Sequence, residues 1–404
     1  MTYNQTIKSA KPFLHKPLRK DYLIFGSPKI EDDEIAEVVE TLKSGWIGTG
    51  KRCHAFEEMF RQYKGTDHAV AVNSCTAGLF LALLVSGIKK GDEVLVPTMT
   101  FCATANIVEH LNAKPVLVDC DPITQNVSIA DLMKKRSRKT KAMILVHFAG
   151  RGISNIEEIV SYARKHNIRV IEDCAHAIET EINGKKAGTF GDIASFSFYV
   201  TKNITTAEGG MILTNNSEYS GKLKTLALHG MSIDAWKRFS DDGYKHYEVI
   251  YPGYKFNMPD LQAALGIKQF EKLDRFYTRR KEIWDYYNNE LANLPVTLPA
   301  PELHSNKHAL HLYTIHIQPE KLNINRDQLL GLLHRENIGT GVHYRALHLQ
   351  KFYREKYKLK PEDFPNASHI SETTLSIPLS PKLTDQDCQH VVTALKNILT
   401  FYAR

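Results

Sequence analysis

The chain has 404 residues, 43% of them apolar and 24% charged, which is enough for two or three packed domains and argues against general disorder. Its 52 basic and 45 acidic side chains leave a formal charge of +7, spread along the sequence, which suits an anionic substrate and gives little support to a nucleic-acid-binding face. No apolar run approaches the roughly 20 residues of a membrane span, and the basic amino terminus, MTYNQTIKSAKPFLHKPLRKDY, has no apolar signal core.

Residues 1–25 read as a basic, flexible arm. From residue 69 a strand–turn–helix rhythm sets in, with strands predicted at 69–72, 93–97, 115–119, 142–147, 169–173, 193–198 and 210–214. Several are continuous β-branched runs, the pattern of strands buried on both faces of a mostly parallel sheet. Between them, stretches such as NIEEIVSYARKHN (155–167) carry apolar residues at helical spacing. The expectation is a large α/β domain over 26–265 with a mostly parallel, seven-stranded sheet.

Beyond residue 215 the pattern changes. Residues 256–294 read as a long charged helical region, with Pro259 in its first turn and Gly266 as a kink or break. A strand at 310–318, a helix at 325–338 capped by Asn325, a strand at 375–380 and a helix at 384–399 capped by Thr384 follow. These make a smaller α+β domain over 266–404, packed on the first around a cleft. The six cysteines, at 53, 75, 102, 120, 174 and 388, form no C-x-x-C pair and no zinc pattern with histidine, so buried thiols, no metal site and a cytoplasmic protein are expected.

Ligands of open α/β sheets bind beyond the carboxyl ends of the strands, so the residues following each strand are the candidates. After AVAV, the turn Asn73-Ser74-Cys75-Thr76 opens a helix whose free N–H groups suit an anion; an ordinary cap by Ser74 or Thr76 is the plainer reading. After EVLVP comes Phe101, able to stack on a flat ring or to fill the core. After RVIED, Asp173 and His176 face the crevice; a strand-end carboxylate can cap the next helix or keep a heterocyclic nitrogen protonated. After IASFSF, Ser197 precedes Lys202, which stands in a turn closing on Glu208-Gly209-Gly210. Taken singly, a turn lysine is a solvated side chain. Taken together, phosphate donors, a carboxylate, an aromatic ring and a lysine in this order are the parts that hold pyridoxal phosphate.

From SGWIGTG (44–50) to the end, the motifs NSCTAG, GDEVLVPTMTF, VDCDP, VHFAG, IEDCAHAI, SFSFYVTKNITTAEGG, PGYKFNMPDLQAALG and IGTGVHYRALHLQKFYRE resemble the DegT-type sugar-nucleotide aminotransferases, a fold-type I pyridoxal-phosphate family. Within it they look closest to the branch that makes UDP-4-amino-4-deoxy-L-arabinose. The resemblance implies that Lys202 is the Schiff-base lysine, that Asp173 pairs with the pyridine nitrogen, and that His176 lies near the 3′-oxygen side. It further implies that Ser197, Cys75 and Thr76 hold the phosphate, that Phe101 lies against the ring, and that Asn257 reaches the phosphate of a neighbouring subunit in a homodimer. It also implies that Tyr199, His343 and Arg345 fall in stretches that face the substrate. Tyr199 stands where the arabinose branch has histidine, and Cys75 replaces an alanine, so the sugar stays open.

The expected activity is transfer of an amino group from glutamate to a UDP- or dTDP-linked keto-sugar, with no nucleic-acid or membrane partner. A sugar dehydratase of the same fold is the enzymatic rival, disfavoured because those relatives carry histidine in place of Lys202. A non-catalytic sugar-nucleotide sensor is the other. His308 and His311, or His343 and His348, match no metal motif such as H-E-x-x-H, and no G-x-G-x-x-G or Walker pattern is present.

Overall fold

The predicted apolar runs form strands in the computed structural model, which describes residues 13, 16–232 and 247–404. They are β1 (His68–Val72), β2 (Glu93–Pro97), β3 (Lys114–Val118), β4 (Thr140–Val146) and β5 (Arg169–Asp173). A short ribbon of β6 (Glu181–Ile182) and β7 (Lys185–Lys186) precedes β8 (Ile193–Ser197) and β9 (Gly210–Thr214). Seven of them make one sheet in the order β1-β9-β8-β5-β4-β2-β3. Strand β9 is antiparallel to both its neighbours, and the other six run in one direction. Helices pack on both faces, so the strands are buried on both sides and need no polar alternation. The helix Cys75–Val85 is buried almost throughout and lies on β8 and β9.

The carboxy-terminal third builds a second layer. Strands β10 (Val296–Thr297), β11 (Tyr313–Ile317) and β12 (Thr374–Ile377) form an antiparallel sheet. Helices Arg326–Arg335, Leu273–Leu291 and Asp385–Phe401 close a separate core on it through Leu329, Tyr287, Leu395 and Ile398. Asn325 caps the first by accepting from the Gln328 N–H, and Thr384 caps the last by accepting from the Asp387 N–H.

Two expectations change. The helical region after Pro259 is not broken at Gly266, which lies inside the helix Asp260–Glu271. A Cβ on Gly266 would come within 2.7 Å of Thr206 and 2.9 Å of Phe56, so the glycine serves close packing. The break falls at Lys272, between that helix and Leu273–Leu291. There the ammonium is held by Glu34 at 2.6 Å, Glu31 at 3.1 Å and Asp33. Most of the basic arm lies outside the described residues, but its end is anchored. The Leu23 N–H donates to the Asn337 carbonyl at 2.8 Å, and the Leu23 carbonyl accepts from the Gly339 N–H at 2.8 Å.

Candidate active site

A cavity of ≈ 580 Å³ opens where β1, β2, β5 and β8 end. Of the predicted residues, Cys75, Thr76, Phe101, Asp173, His176, Ser197, Tyr199, Lys202 and His343 line it. Arg345 does not; it is exposed, and its guanidinium reaches the Leu349 carbonyl at 3.5 Å. Asn257 does not line it either. Its amide donates to the Thr49 hydroxyl at 2.6 Å, and its buried carbonyl oxygen has no partner among the described residues.

Ser74 is the helix cap, accepting from the Ala77 N–H at 3.1 Å. The first N–H groups of that helix, on Cys75 and Thr76, therefore have no intrahelical acceptor and lie at the cavity wall. Gly210 makes this approach possible, because a Cβ there would sit 2.6 Å from the Cys75 nitrogen. Ser197 also lines the cavity, and its hydroxyl accepts from the Tyr199 N–H at 3.3 Å.

Asp173 closes β5 with its carboxylate buried. One oxygen accepts from the Ala175 N–H at 3.1 Å and the other from the Thr104 hydroxyl at 2.9 Å. Burial pushes its pKa up; the Ala175 and Thr104 hydrogen bonds and the nearby Lys202 charge act against that rise.

Lys202 sits in the excursion from β8 to β9. The Phe198 N–H donates to Gly209 at 2.9 Å, the Thr206 N–H to Phe198 at 2.9 Å, and the Lys202 N–H to Tyr199 at 2.9 Å. The side chain faces the cavity and is only partly withdrawn from solvent, yet the surrounding protein lowers its pKa to about 8, chiefly by desolvation.

His176 is buried, and desolvation with the Lys202 charge keeps it neutral by holding its pKa well below 6.5. Its Nδ1 accepts from the Ala149 N–H at 3.2 Å, so Nε2 carries the proton and faces the Tyr344 hydroxyl at 3.2 Å. Phe101 stands at the rim, 58% exposed, its ring centroid 6.2 Å from that of Tyr344. His343 stacks on Phe25 and shares a hydrogen bond with the Ser376 hydroxyl at 2.8 Å.

The cavity also holds Phe25, Thr100 and Thr104, to which the sequence assigned nothing, and Glu208 and Tyr344, which it placed only in the lysine turn and in the stretch around His343. Thr100 and Thr104 follow β2, so a scan of every polar residue after that strand finds them, and Tyr344 adjoins His343. Phe25 arrives from the basic arm and has no local signal.

Helix-start N–H groups, hydroxyl donors, a buried carboxylate and a lysine of lowered pKa lining one cavity fit a phosphorylated aldehyde with a basic ring nitrogen. The fold and this site define a fold-type I pyridoxal-phosphate enzyme. Residues 28–396 match the DegT/DnrJ/EryC1/StrS aminotransferase family, and the chain belongs to it. It is a pyridoxal-phosphate-dependent sugar aminotransferase.

The spore coat polysaccharide biosynthesis protein SpsC of Bacillus subtilis is 42% identical over 94% of this chain and 98% of its own. Among solved structures, Spr1654 of Streptococcus pneumoniae superposes with TM-scores of 0.87 in its PMP form and 0.86 in its PLP form. These are 31% and 30% identical and cover 94% of this chain and 99% of theirs. Helicobacter pylori PseC, an aminotransferase involved in the biosynthesis of pseudoaminic acid, has a TM-score of 0.86 at 27% identity and covers 95% of this chain and 100% of its own.

Proposed function

We propose that the enzyme transfers an amino group from glutamate to a nucleotide-linked keto-sugar, a UDP-4-keto-sugar above others, in the cytoplasm, for a cell-envelope polysaccharide or a related glycan. The observation that carries this reading is the meeting of Lys202 and Asp173 in one cavity with Tyr199 and His343. The roles borne by SpsC in spore coat polysaccharide and by PseC in pseudoaminic acid biosynthesis support the glycan destination. The motif resemblance supports the arabinose-type branch; Tyr199 and Cys75 depart from it.

Pyridoxal phosphate, when bound, supplies the carbonyl that takes up the amino group and the ring that accepts the electron pair. The chain's own residues do the rest. Thr76, Cys75 and Ser197 would anchor the phosphate, and Asp173 would hold a proton on the ring nitrogen. Phe101, at the rim, would lie against the ring, and neutral His176 would stand near the 3′-oxygen side. Lys202 would hold the cofactor's carbonyl carbon, and as an amine with a pKa of about 8 it would be the base that moves a proton at the substrate carbon. Asn257 would reach a partner subunit's phosphate in a homodimer, and His343, on the cavity, would face the sugar nucleotide.

Turnover of glutamate against a panel of UDP- and dTDP-linked keto-sugars tests the reading. Amination of a UDP-4-keto-sugar is expected. A preparation whose yellow cofactor glutamate bleaches, but which aminates no member of the panel, overturns the substrate class and leaves the aminotransferase assignment standing.

A further inference from the structure

We propose that Thr104, backed by Thr100, is a positioning residue for Asp173. The two hydroxyls form a one-way chain that aims the carboxylate at the end of β5 into the cavity. The inference rests on Asp173 facing the ring nitrogen, as proposed above.

The direction of the chain follows from its acceptor. An ionised carboxylate only accepts, so the Thr104 hydroxyl donates to Asp173 Oδ2 across their 2.9 Å separation. Having spent its one proton, the Thr104 oxygen accepts from the Thr100 hydroxyl, 2.9 Å away. Each member's hydrogen bond strengthens the next. Thr100 is 3% exposed and Thr104 1% exposed, so neither is a solvated surface hydroxyl.

Threonines at the start of a helix ordinarily bond to nearby backbone, and Thr104 lies in the first turn of the helix Ala103–His110. Here the hydrogen bonds run from side chain to side chain, across the sheet edge from the segment after β2 to the end of β5. The Ala175 N–H serves the other carboxylate oxygen, so each oxygen has its own donor while Asp173 lines the cavity. Burial works against the charge on Asp173, and Thr104 is one of the groups that offset it.

Holoenzyme carrying Thr104→Val, Thr104→Ser, Thr100→Val and the Thr100→Val/Thr104→Val pair tests this. The readouts are the dissociation constant of pyridoxal phosphate and the pH dependence of its absorption band, with Asp173→Ala as reference. Thr104→Val should weaken retention about tenfold or more, as expected for a lost hydrogen bond to a charge, and should shift the absorption titration. Thr104→Ser should restore both. Thr100→Val should act in the same direction more weakly, and the pair should equal Thr104→Val alone, because a broken chain has nothing further to lose.

Wild-type retention and titration in Thr104→Val, or equal damage from Thr104→Ser, overturns the proposal, as does additivity in the pair. If Thr104→Val does not fold, Thr100→Val decides, and an unchanged titration there overturns the chain. Wild-type retention by Asp173→Ala overturns the ring-nitrogen assignment instead, which separates the two failures.

Discussion

The Nδ1–H of His311 donates to the side-chain oxygen of Asn203 at 2.9 Å, one residue past Lys202. The orientation of the amide is forced, because its nitrogen donates to Glu179 at 2.7 Å and to the Ala309 carbonyl at 2.8 Å. The other oxygen of Glu179 takes the buried Arg280, on the helix Leu273–Leu291. His311 in turn lies over His176, their ring centroids 4.4 Å apart. The lysine turn is thus tied on one side to the active-site histidine and on the other to the carboxy-terminal layer.

Asn203→Ala leaves His311, Glu179 and the Ala309 carbonyl each short of a partner in a buried place. Stability should fall by about 2 kcal/mol or more. Denaturant unfolding checks this, and a change within about 0.5 kcal/mol, the scatter of ordinary surface substitutions, would show that the network is not needed.

Lys202 has a pKa of about 8 in place of 10.5, so it is charged below that pH and a free amine above it. In cofactor-free protein, trapping of Lys202 by an aldehyde and borohydride should rise with pH to half its limit near pH 8. Solvated lysines keep rising toward about 10.4. Peptide mapping after reduction reads the result, and preferential labelling of another lysine would remove the assignment. Lys202→Ala should lower transamination by at least about 100-fold.

Glu172 is wholly buried beside Asp173 and accepts from the Gly188, Phe190 and Gly191 N–H groups at 2.8, 2.7 and 2.7 Å and from His147 at 3.0 Å. Burial alone would raise its pKa; His147 and the backbone donors outweigh burial and hold it below 4.5. Its contribution to stability is therefore complete above the unfolded-state pKa, about 4.3 for a free glutamate, and is lost as the pH falls through the lower folded value. Glu172→Gln should cost about 2–3 kcal/mol at pH 7 and flatten the acid limb of the stability curve. An unchanged acid limb in thermal scans would contradict it.

Much of this was legible. The seven strands of the large sheet fall within two residues of the predicted ones, because fully buried strands need unbroken β-branched runs bounded by polar turns. The strand-end rule brought out Asp173, Ser197 and Lys202. It did not reveal that β9 runs against its neighbours, since a buried antiparallel strand has the same apolar composition as a parallel one. His311 stood in the sequence only as one of two histidines three residues apart; what sets it beside His176 is tertiary packing. Gly266 read as a break because glycine weakens helices, whereas here the lack of a side chain is what lets Phe56 and Thr206 come close.

Asn257 carries the most exposed expectation. Mixing Lys202→Ala with Asn257→Ala chains gives dimers in which, if Asn257 serves the partner's site, one site carries both defects and the other neither. Activity should then return to about half a wild-type site count per mixed dimer, by two-fold symmetry. If Asn257 serves its own subunit, every mixed site keeps one defect and nothing is regained. A fully active Asn257→Ala would end the idea before mixing.

The reversed course of β9 bears on the order in which the site is put together. A chain emerging from the ribosome that has reached only Ser197 can pair β3, β2, β4, β5 and β8, but β1 has no neighbour in that set. The segment Gly210–Thr214 supplies the missing one, pairing Val72 with Gly210 on one side and Ser197 with Gly210 on the other. The same pairing closes the excursion that carries Lys202. One late strand thus completes the seat of the Cys75–Val85 helix, begun on β8, and closes the lysine turn in the same step.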